Sequence, residues 1–232
     1  MRISGLQKMT LLDYPGQVAC TVFTGGCHLR CPFCHNASLV LPERVNDATD
    51  EDEVLRFLAK RQGMLDGVAV TGGEPLLHAD IADFLRRVRE MGYRIKLDTN
   101  GTFPDRLRAL VEEGLVDRVA MDVKNAPLLY GKTVGLRRFD LAPIEESKDY
   151  LLEGRVEYEF RTTVVRGLHT AESLKGAARW IEGAREYYLQ QYKDSGDVIR
   201  PDALGSFTDD EMRELLAEVR TVIPAAALRG VG

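Results

Sequence analysis

Three cysteines in one short segment have the spacing needed to hold a metal centre. Cys27, Cys31 and Cys34 form a CxxxCxxC pattern after an apolar run, and the fourth cysteine of the chain, Cys20, lies within that run. A disulfide framework would spread its cysteines to join distant segments, so this cluster indicates a metal site. Three thiolates can bind three irons of a four-iron cluster, whereas electron-transfer clusters normally take four cysteines. The fourth iron would then be open to a substrate or cofactor.

A structural zinc site is the alternative interpretation of these cysteines. Zinc prefers four ligands, and Cys20, His28 or His35 could supply the fourth. Cys20 alternates with Val18 and Val22 in an apolar strand pattern, which favours a small buried hydrophobic side chain over a ligand. His28 and His35 are expected to be loop residues that tune or shield the centre.

A glycine-rich segment, Thr71-Gly72-Gly73-Glu74-Pro75, follows a second short apolar run. Two adjacent glycines allow the backbone to approach a ligand closely. The carboxylate of Glu74 can accept a hydrogen bond from an ammonium group. The alternative is a plain turn between a strand and a helix, in which the glycines serve the turn geometry.

Charged residues follow the next two apolar runs. Asp98-Thr99-Asn100-Gly101 ends one of them, and Asp122-Val123-Lys124 ends the other. Active-site loops collect at the carboxyl ends of parallel barrel strands, which favours a functional role for both segments. The alternatives are an ordinary turn at residues 98–101 and an ordinary ion pair between Asp122 and Lys124. Arg161 lies in a fifth run. An arginine inside a barrel is costly unless it is paired, so we expect a carboxylate or a ligand beside it.

Short apolar runs alternate with amphipathic segments, which predicts strands connected by helices and hence a parallel sheet. Right-handed crossovers curl such a sheet in one direction, and six units fall short of the usual eight-stranded barrel. We expect an α/β fold, a partial (β/α)6 TIM-like barrel in a single domain over residues 1–232, with a doubly wound open sheet as the alternative. The predicted strands are Val18–Thr24, Gly67–Thr71, Arg94–Asp98, Asp117–Lys124, Val156–Val165 and Glu186–Tyr192. The predicted helices are Asp52–Leu65, Asp80–Met91, Pro104–Glu113, Pro143–Leu152, Ala171–Gly183 and Asp209–Val222.

The cysteine segment, with Phe33 before its last cysteine, resembles the CxxxCxΦC signature of radical S-adenosylmethionine (SAM) enzymes, and residues 72–75 resemble their GGEP motif. The resemblance implies a [4Fe–4S] cluster on the three cysteines, with SAM bound to its open iron. It implies that the reduced cluster cleaves SAM to methionine and a 5′-deoxyadenosyl radical, so no side chain need act as a general base. The residues it implies at the SAM site are Phe33, Gly72, Gly73, Glu74 and Pro75.

The DTNG pattern at residues 98–101 and the DxK pattern at residues 122–124 resemble those of glycyl-radical-enzyme activating enzymes. The resemblance implies that the two aspartates and the threonine bind SAM or a monovalent cation, and that the lysine and Arg161 contact SAM. In pyruvate formate-lyase activating enzymes, a histidine that follows a Pro-Tyr pair contacts SAM. This sequence lacks that histidine in its sixth predicted strand. The resemblance assigns Gln191 to the SAM site at that position instead. These implied residues are Asp98, Thr99, Asp122, Lys124, Arg161 and Gln191.

The opening string, residues 4–36, resembles the activating proteins of anaerobic ribonucleoside-triphosphate reductase. This resemblance implies a glycyl radical enzyme as the partner and hydrogen abstraction from one of its glycines. The segment between Cys34 and Gly72 holds no further cysteine, which implies one cluster and electrons from flavodoxin or ferredoxin. The alternatives are a small-molecule radical SAM enzyme, such as a 7-carboxy-7-deazaguanine synthase, and a metal-binding scaffold without turnover.

Charge and hydropathy weigh against some partners. The net charge of −5 and the lack of a long basic run argue against nucleic acid. No apolar stretch is long enough to cross a bilayer, and the first residues lack a signal-peptide pattern. We therefore expect no membrane partner and a cytoplasmic location, where thiols stay reduced.

Overall fold

A computed structural model describes residues 1–41, 49–194, 196–202 and 204–231 of the chain. In this part of the chain, eight strands form one sheet in the order of the sequence. The strands are β1 (Ile3–Thr10), β2 (Ala19–Thr24), β3 (Gly67–Gly72), β4 (Arg94–Thr99), β5 (Arg118–Asp122), β6 (Glu157–Val164), β7 (Tyr187–Gln191) and β8 (Ala227–Arg229).

The strand order distinguishes the partial barrel from the doubly wound sheet. Strands β2 to β8 run parallel in sequence order, and β1 pairs antiparallel with β2. A doubly wound sheet reverses its strand order at a switch point, whereas a constant order places the crossover helices on one side and curls the sheet. The predicted partial barrel is confirmed. Its six predicted strands are β2 to β7, and the structure adds β1 and β8.

Helices follow most of the strands and pack against the outer surface of the sheet. The predicted helix over Asp52–Leu65 ends early, at Ala59, before a turn in which Gly63 has a φ of +75°. Two short 3-10 helices, Pro75–Leu77 and Pro127–Leu129, belong to loops at the carboxyl ends of strands. The α-helices are α1 (Ala37–Val40), α2 (Glu51–Ala59), α3 (Ile81–Glu90), α4 (Pro104–Glu112), α5 (Tyr130–Thr133), α6 (Ala142–Leu152), α7 (Ala171–Trp180) and α8 (Asp209–Arg220). Among the residues described, none of the helices has the length and hydropathy of a membrane span.

The two faces of the sheet differ in polarity. Alternate residues of a strand point to opposite faces. On β6, Tyr158 and Phe160 join the buried apolar cluster, while Arg161 and Thr163 line an internal cavity. The apolar core therefore lies between the sheet and its helices, and polar side chains are left for the inside of the barrel.

A buried carboxylate joins three strands within the sheet. Glu159 on β6 is fully buried, and its oxygens accept hydrogen bonds from Arg118 on β5 at 2.8 Å and Arg229 on β8 at 2.7 and 3.1 Å. Burial alone would raise the pKa of Glu159, but the bonds from Arg229 and Arg118 outweigh it and lower the pKa to about 2. This pairing explains how a strand of three residues, β8, is held at the edge of the sheet.

We predict that Glu159→Gln lowers the free energy of unfolding by about 3 kcal/mol at pH 7, because two arginines lose their buried charged partner. A group whose pKa is depressed on folding stabilises the protein above its unfolded pKa. The difference between wild type and variant should therefore shrink as the pH falls from 4.5 toward 2.

Urea unfolding across that pH range measures this difference. The matched control is Glu157→Gln, because the side chain of Glu157 is 66% exposed and lies 3.9 Å from Arg118. Glu157→Gln should lower the free energy of unfolding by less than about 0.5 kcal/mol. Equal losses for the two variants would contradict the interpretation.

Candidate active site

One cavity of about 290 Å³ lies among the loops at the carboxyl ends of the strands. It brings together most of the residues that the sequence singled out. Those that line it are Cys27, Cys31, Phe33, Cys34, Gly72, Gly73, Asp98, Thr99, Asp122, Lys124 and Arg161. Carboxyl ends of parallel barrel strands are where active sites collect, as the sequence analysis expected.

The cysteine loop follows β2 and is fixed by neighbouring backbone. Arg30 donates its backbone N–H to the Val134 carbonyl at 3.0 Å, and Arg200 donates to the Pro32 carbonyl at 3.0 Å. The guanidinium of Arg30 also donates to the Cys27 carbonyl at 2.5 Å. These contacts hold both halves of the CxxxCxxC segment in a defined position.

The cysteines suit an iron–sulfur cluster. All three are free thiols, and burial raises the pKa of Cys27 to about 11 and of Cys31 to about 12. Cysteine binds metal as the thiolate, so these buried thiols ionise when a cation such as iron is present to compensate the charge. Three cysteines that line one cavity match the donor set of a four-iron cluster, and a cluster bound there would have one iron without a protein ligand.

Two of the three candidate fourth ligands for zinc, Cys20 and His28, lie outside the cavity, and the third, His35, lines it. Zinc–sulfur bonds of about 2.3 Å would draw the ligands around one point. Across the described ranges, no group of three or more His, Cys, Asp or Glu side chains is placed to hold a single ion. Cys20 is fully buried in the apolar core, as predicted, and does not line the cavity, while the His28 ring packs against Phe103 at 5.3 Å.

The two glycines of the GGEP loop allow it to pack against the cysteine loop. A Cβ on Gly73 would lie 2.0 Å from the Gly26 carbonyl oxygen. Gly72 has a φ of +122°, and a Cβ there would lie 2.4 Å from the backbone of Thr24. The Glu74 N–H donates to the Gly26 carbonyl at 2.8 Å. The glycines thus permit close approach of two loops, and their backbone faces the cavity.

Glu74 does not lie where the sequence analysis placed it. Its side chain is fully buried, outside the cavity lining, and accepts hydrogen bonds from the Leu76 N–H (3.1 Å), the Thr99 hydroxyl (2.8 Å) and the Asn100 N–H (2.7 Å). Burial raises its pKa to about 7 despite these donors. The expectation that this carboxylate accepts from an ammonium is therefore corrected, because its oxygens already connect the GGEP and DTNG loops. Pro75 is likewise outside the cavity; it is buried and starts a 3-10 turn.

Arg161 has the carboxylate partners that its position requires. Its guanidinium contacts Asp98 at 3.1 Å and Asp122 at 3.1 Å. The other oxygen of Asp98 pairs with Lys96, which also lies on β4. The other oxygen of Asp122 pairs with Lys124 at 2.8 Å. These five side chains form an ionic ladder across β4, β5 and β6 with one net positive charge. Burial disfavours the Asp122 carboxylate, yet Lys124 and Arg161 hold its pKa well below the usual range.

The ionic ladder does not favour the predicted monovalent cation. All four oxygens of Asp98 and Asp122 already contact a lysine or an arginine. Lys96, which the sequence analysis did not single out, is 1% exposed and supplies one of these charges. A further cation would compete with three side chains that are already in place.

The expectation that Gln191 belongs to the SAM site is also corrected. Its amide donates to the Phe207 carbonyl at 2.9 Å and to the Asp209 carboxylate at 3.0 Å, at the start of α8. The neighbouring Gln190 lines the cavity instead, because consecutive strand residues point to opposite faces. The alternation within β7 itself could have identified this face from the sequence, because the apolar residues Tyr187 and Leu189 point to the core and Gln190 lies between Leu189 and Gln191 in the opposite phase to Leu189. The lining residues that the sequence analysis did not select include Asp13, Phe23, Asn100, Thr163 and Gln190.

Comparison with known proteins gives relatives along the whole chain. A protein of Methanocaldococcus jannaschii, named provisionally as a glycyl-radical enzyme activating enzyme, is 29% identical over 99% of this chain and 96% of its own length. The pyruvate formate-lyase-activating enzyme of Clostridium pasteurianum is 31% identical over 53% of this chain and 52% of its own length. The GTP 3′,8-cyclase of Aquifex aeolicus is 28% identical over 92% of this chain and 68% of its own length.

A solved structure supports the fold. SuiB of Streptococcus suis, in a crystal structure with the precursor peptide SuiA, superposes with a TM-score of 0.72 at 16% identity, over 90% of this chain and 48% of SuiB. The sequence model of the radical SAM superfamily matches residues 21–181, which include the cysteine, GGEP, DTNG and DxK loops. The chain therefore belongs to the radical SAM superfamily, whose members use a [4Fe–4S] cluster and SAM.

Proposed function

We propose that this radical SAM enzyme activates a glycyl radical enzyme, and that its partner is an anaerobic ribonucleoside-triphosphate reductase. When bound, the cluster and SAM supply a 5′-deoxyadenosyl radical, which takes a hydrogen atom from a glycine Cα of the partner and leaves 5′-deoxyadenosine. A flavodoxin or ferredoxin supplies the electron. The observation that supports this function best is the full-length match to the Methanocaldococcus jannaschii protein.

The cavity offers groups suited to SAM. The backbone of Gly72 and Gly73 faces the cavity beside the cysteine loop and suits the amino group of the ligand. Lys124, the lysine of the ionic ladder that lines the cavity, suits its carboxylate. Thr163 and Gln190 are paired in register on β6 and β7 and offer a hydroxyl and an amide to the ribose or base. Asp98 and Asp122 act through Arg161 and Lys124, which they orient.

The second candidate function is a radical reaction on a small molecule. It is supported by the match to the Aquifex aeolicus GTP 3′,8-cyclase over 92% of this chain. Both candidates share SAM cleavage and differ in the acceptor of the radical, so the acceptor decides between them.

The cluster assignment predicts different outcomes for two cysteines. After anaerobic reconstitution, wild type and Cys20→Ala should each bind about four irons per chain. Cys31→Ala should bind little iron, because it removes one of the three thiolates on the cavity wall. Iron and sulfide analysis with absorption spectroscopy measures this. Cys20→Ala is the matched control, since Cys20 is a buried cysteine outside the cavity. Equal cluster loss in both variants would contradict the assignment.

For the SAM site, we predict that Lys124→Gln keeps the cluster and weakens SAM binding at least tenfold, because a charged hydrogen bond of about 1.5–3 kcal/mol is lost. Equilibrium dialysis with labelled SAM gives the dissociation constant. The control is Lys132→Gln, since Lys132 is exposed and does not line the cavity. Unchanged affinity in Lys124→Gln would exclude this contact.

Activation of the partner is tested with the reduced, reconstituted enzyme, SAM and an anaerobic ribonucleoside-triphosphate reductase. We expect a glycyl radical on the reductase by electron paramagnetic resonance, together with one 5′-deoxyadenosine per radical formed. A reductase variant whose radical glycine is replaced by alanine should give no radical signal. If 5′-deoxyadenosine forms while no reductase radical is seen, the partner assignment fails, and GTP as the acceptor should then be tested.

A further inference from the structure

The side-chain amide of Asn100 contacts one of the cluster cysteines. Its Nδ2 lies 3.7 Å from the Sγ of Cys27, within the range of a hydrogen bond to sulfur. Asn100 is 5% exposed and lines the cavity between the cysteine and DTNG loops. A hydrogen-bond donor is thus directed at a sulfur that binds iron.

Two contacts determine which end of this amide faces the sulfur. The Oδ1 of Asn100 accepts hydrogen bonds from the Thr102 N–H at 3.1 Å and from the Thr102 hydroxyl at 2.6 Å. Because an amide oxygen accepts and an amide nitrogen donates, two donors on one side assign the oxygen there and the NH2 group to Cys27. Turning the amide over would place its NH2 group against the Thr102 N–H, which can only donate.

The backbone of Asn100 is fixed as well. Its N–H donates to the buried Glu74 carboxylate at 2.7 Å. The next turn of the chain adds a second contact to the cysteine loop, where Phe103 packs against His28. Asn100 therefore lies on a continuous hydrogen-bonded connection from the Glu74 carboxylate to Cys27, and these contacts direct its amide at the Cys27 sulfur.

A hydrogen bond to a cluster sulfur changes the energy of the two redox states unequally. One-electron reduction adds negative charge that is shared by the cluster sulfurs, and a donor at sulfur stabilises the more negative state. Such a donor raises the reduction potential. A higher potential makes the cluster easier to reduce by an electron carrier and leaves it a weaker reductant toward SAM.

We propose that Asn100 is a positioning residue that sets the reduction potential of the cluster through its hydrogen bond to Cys27, with Thr102 holding the amide in place. The proposal rests on the cluster and does not depend on the identity of the glycyl radical partner. It gives the DTNG asparagine a function distinct from SAM binding.

The test is a potentiometric titration of the reconstituted protein without SAM, followed by the electron paramagnetic resonance signal of the reduced cluster. Asn100→Ala should keep its iron content and shift the midpoint potential to a more negative value. Thr102→Val should shift it in the same direction by a smaller amount. Thr102→Ser, which keeps the hydroxyl, should leave it unchanged.

The matched control is Gln190→Ala, which removes an amide that lines the same cavity from β7. Its potential should equal that of wild type. An unchanged potential in Asn100→Ala with a full cluster would overturn the proposal, as would an equal shift in Gln190→Ala.

If Asn100→Ala loses the cluster, Thr102→Val decides, since a negative shift supports the proposal and an unchanged potential overturns it. Failure to activate a glycyl radical enzyme would refute the proposed function and leave this result standing.

Discussion

The pairing of Arg161 with Asp98 and Asp122 is the constraint on which the site depends. It connects three adjacent strands, β4, β5 and β6, at the ends that carry the site loops. Buried charges are tolerated only in pairs, and a slip of one residue in any of these strands would turn its charged side chain toward the apolar core. The ionic ladder therefore fixes strand register and at the same time presents Lys124 to the cavity. One set of interactions serves folding and ligand binding.

Hydrogen bonds also join the site loops to one another. Glu74 connects the GGEP loop to the DTNG loop, and Asn100 continues that connection to Cys27. The GGEP loop also contacts Gly26 directly, through the Glu74 N–H. Cys27 and the cavity-lining backbone of the GGEP loop thus belong to one hydrogen-bonded unit.

The sequence was sufficient for features that depend on local patterns. Apolar periodicity predicted β2 to β7, and most of the residues that the motifs and their resemblance selected line the cavity. The sequence was insufficient where tertiary contacts decide the direction in which a side chain points. Whether Glu74 faces a ligand or a neighbouring loop depends on donors 25 and 26 residues away. The error at Gln191 was one of strand phase, and β1 and β8 were missed because the first is rich in polar residues and the second has three residues.

The contact between Gly73 and Gly26 has a consequence for how this sequence can vary. Any side chain at position 73 would collide with the carbonyl of residue 26, so the chain there would have to move. Residue 26 immediately precedes Cys27, so such a movement would also shift the cysteine loop. Replacing residue 26 would not relieve the collision, because its carbonyl belongs to the backbone. Position 73 is therefore restricted to glycine whichever residue stands at position 26.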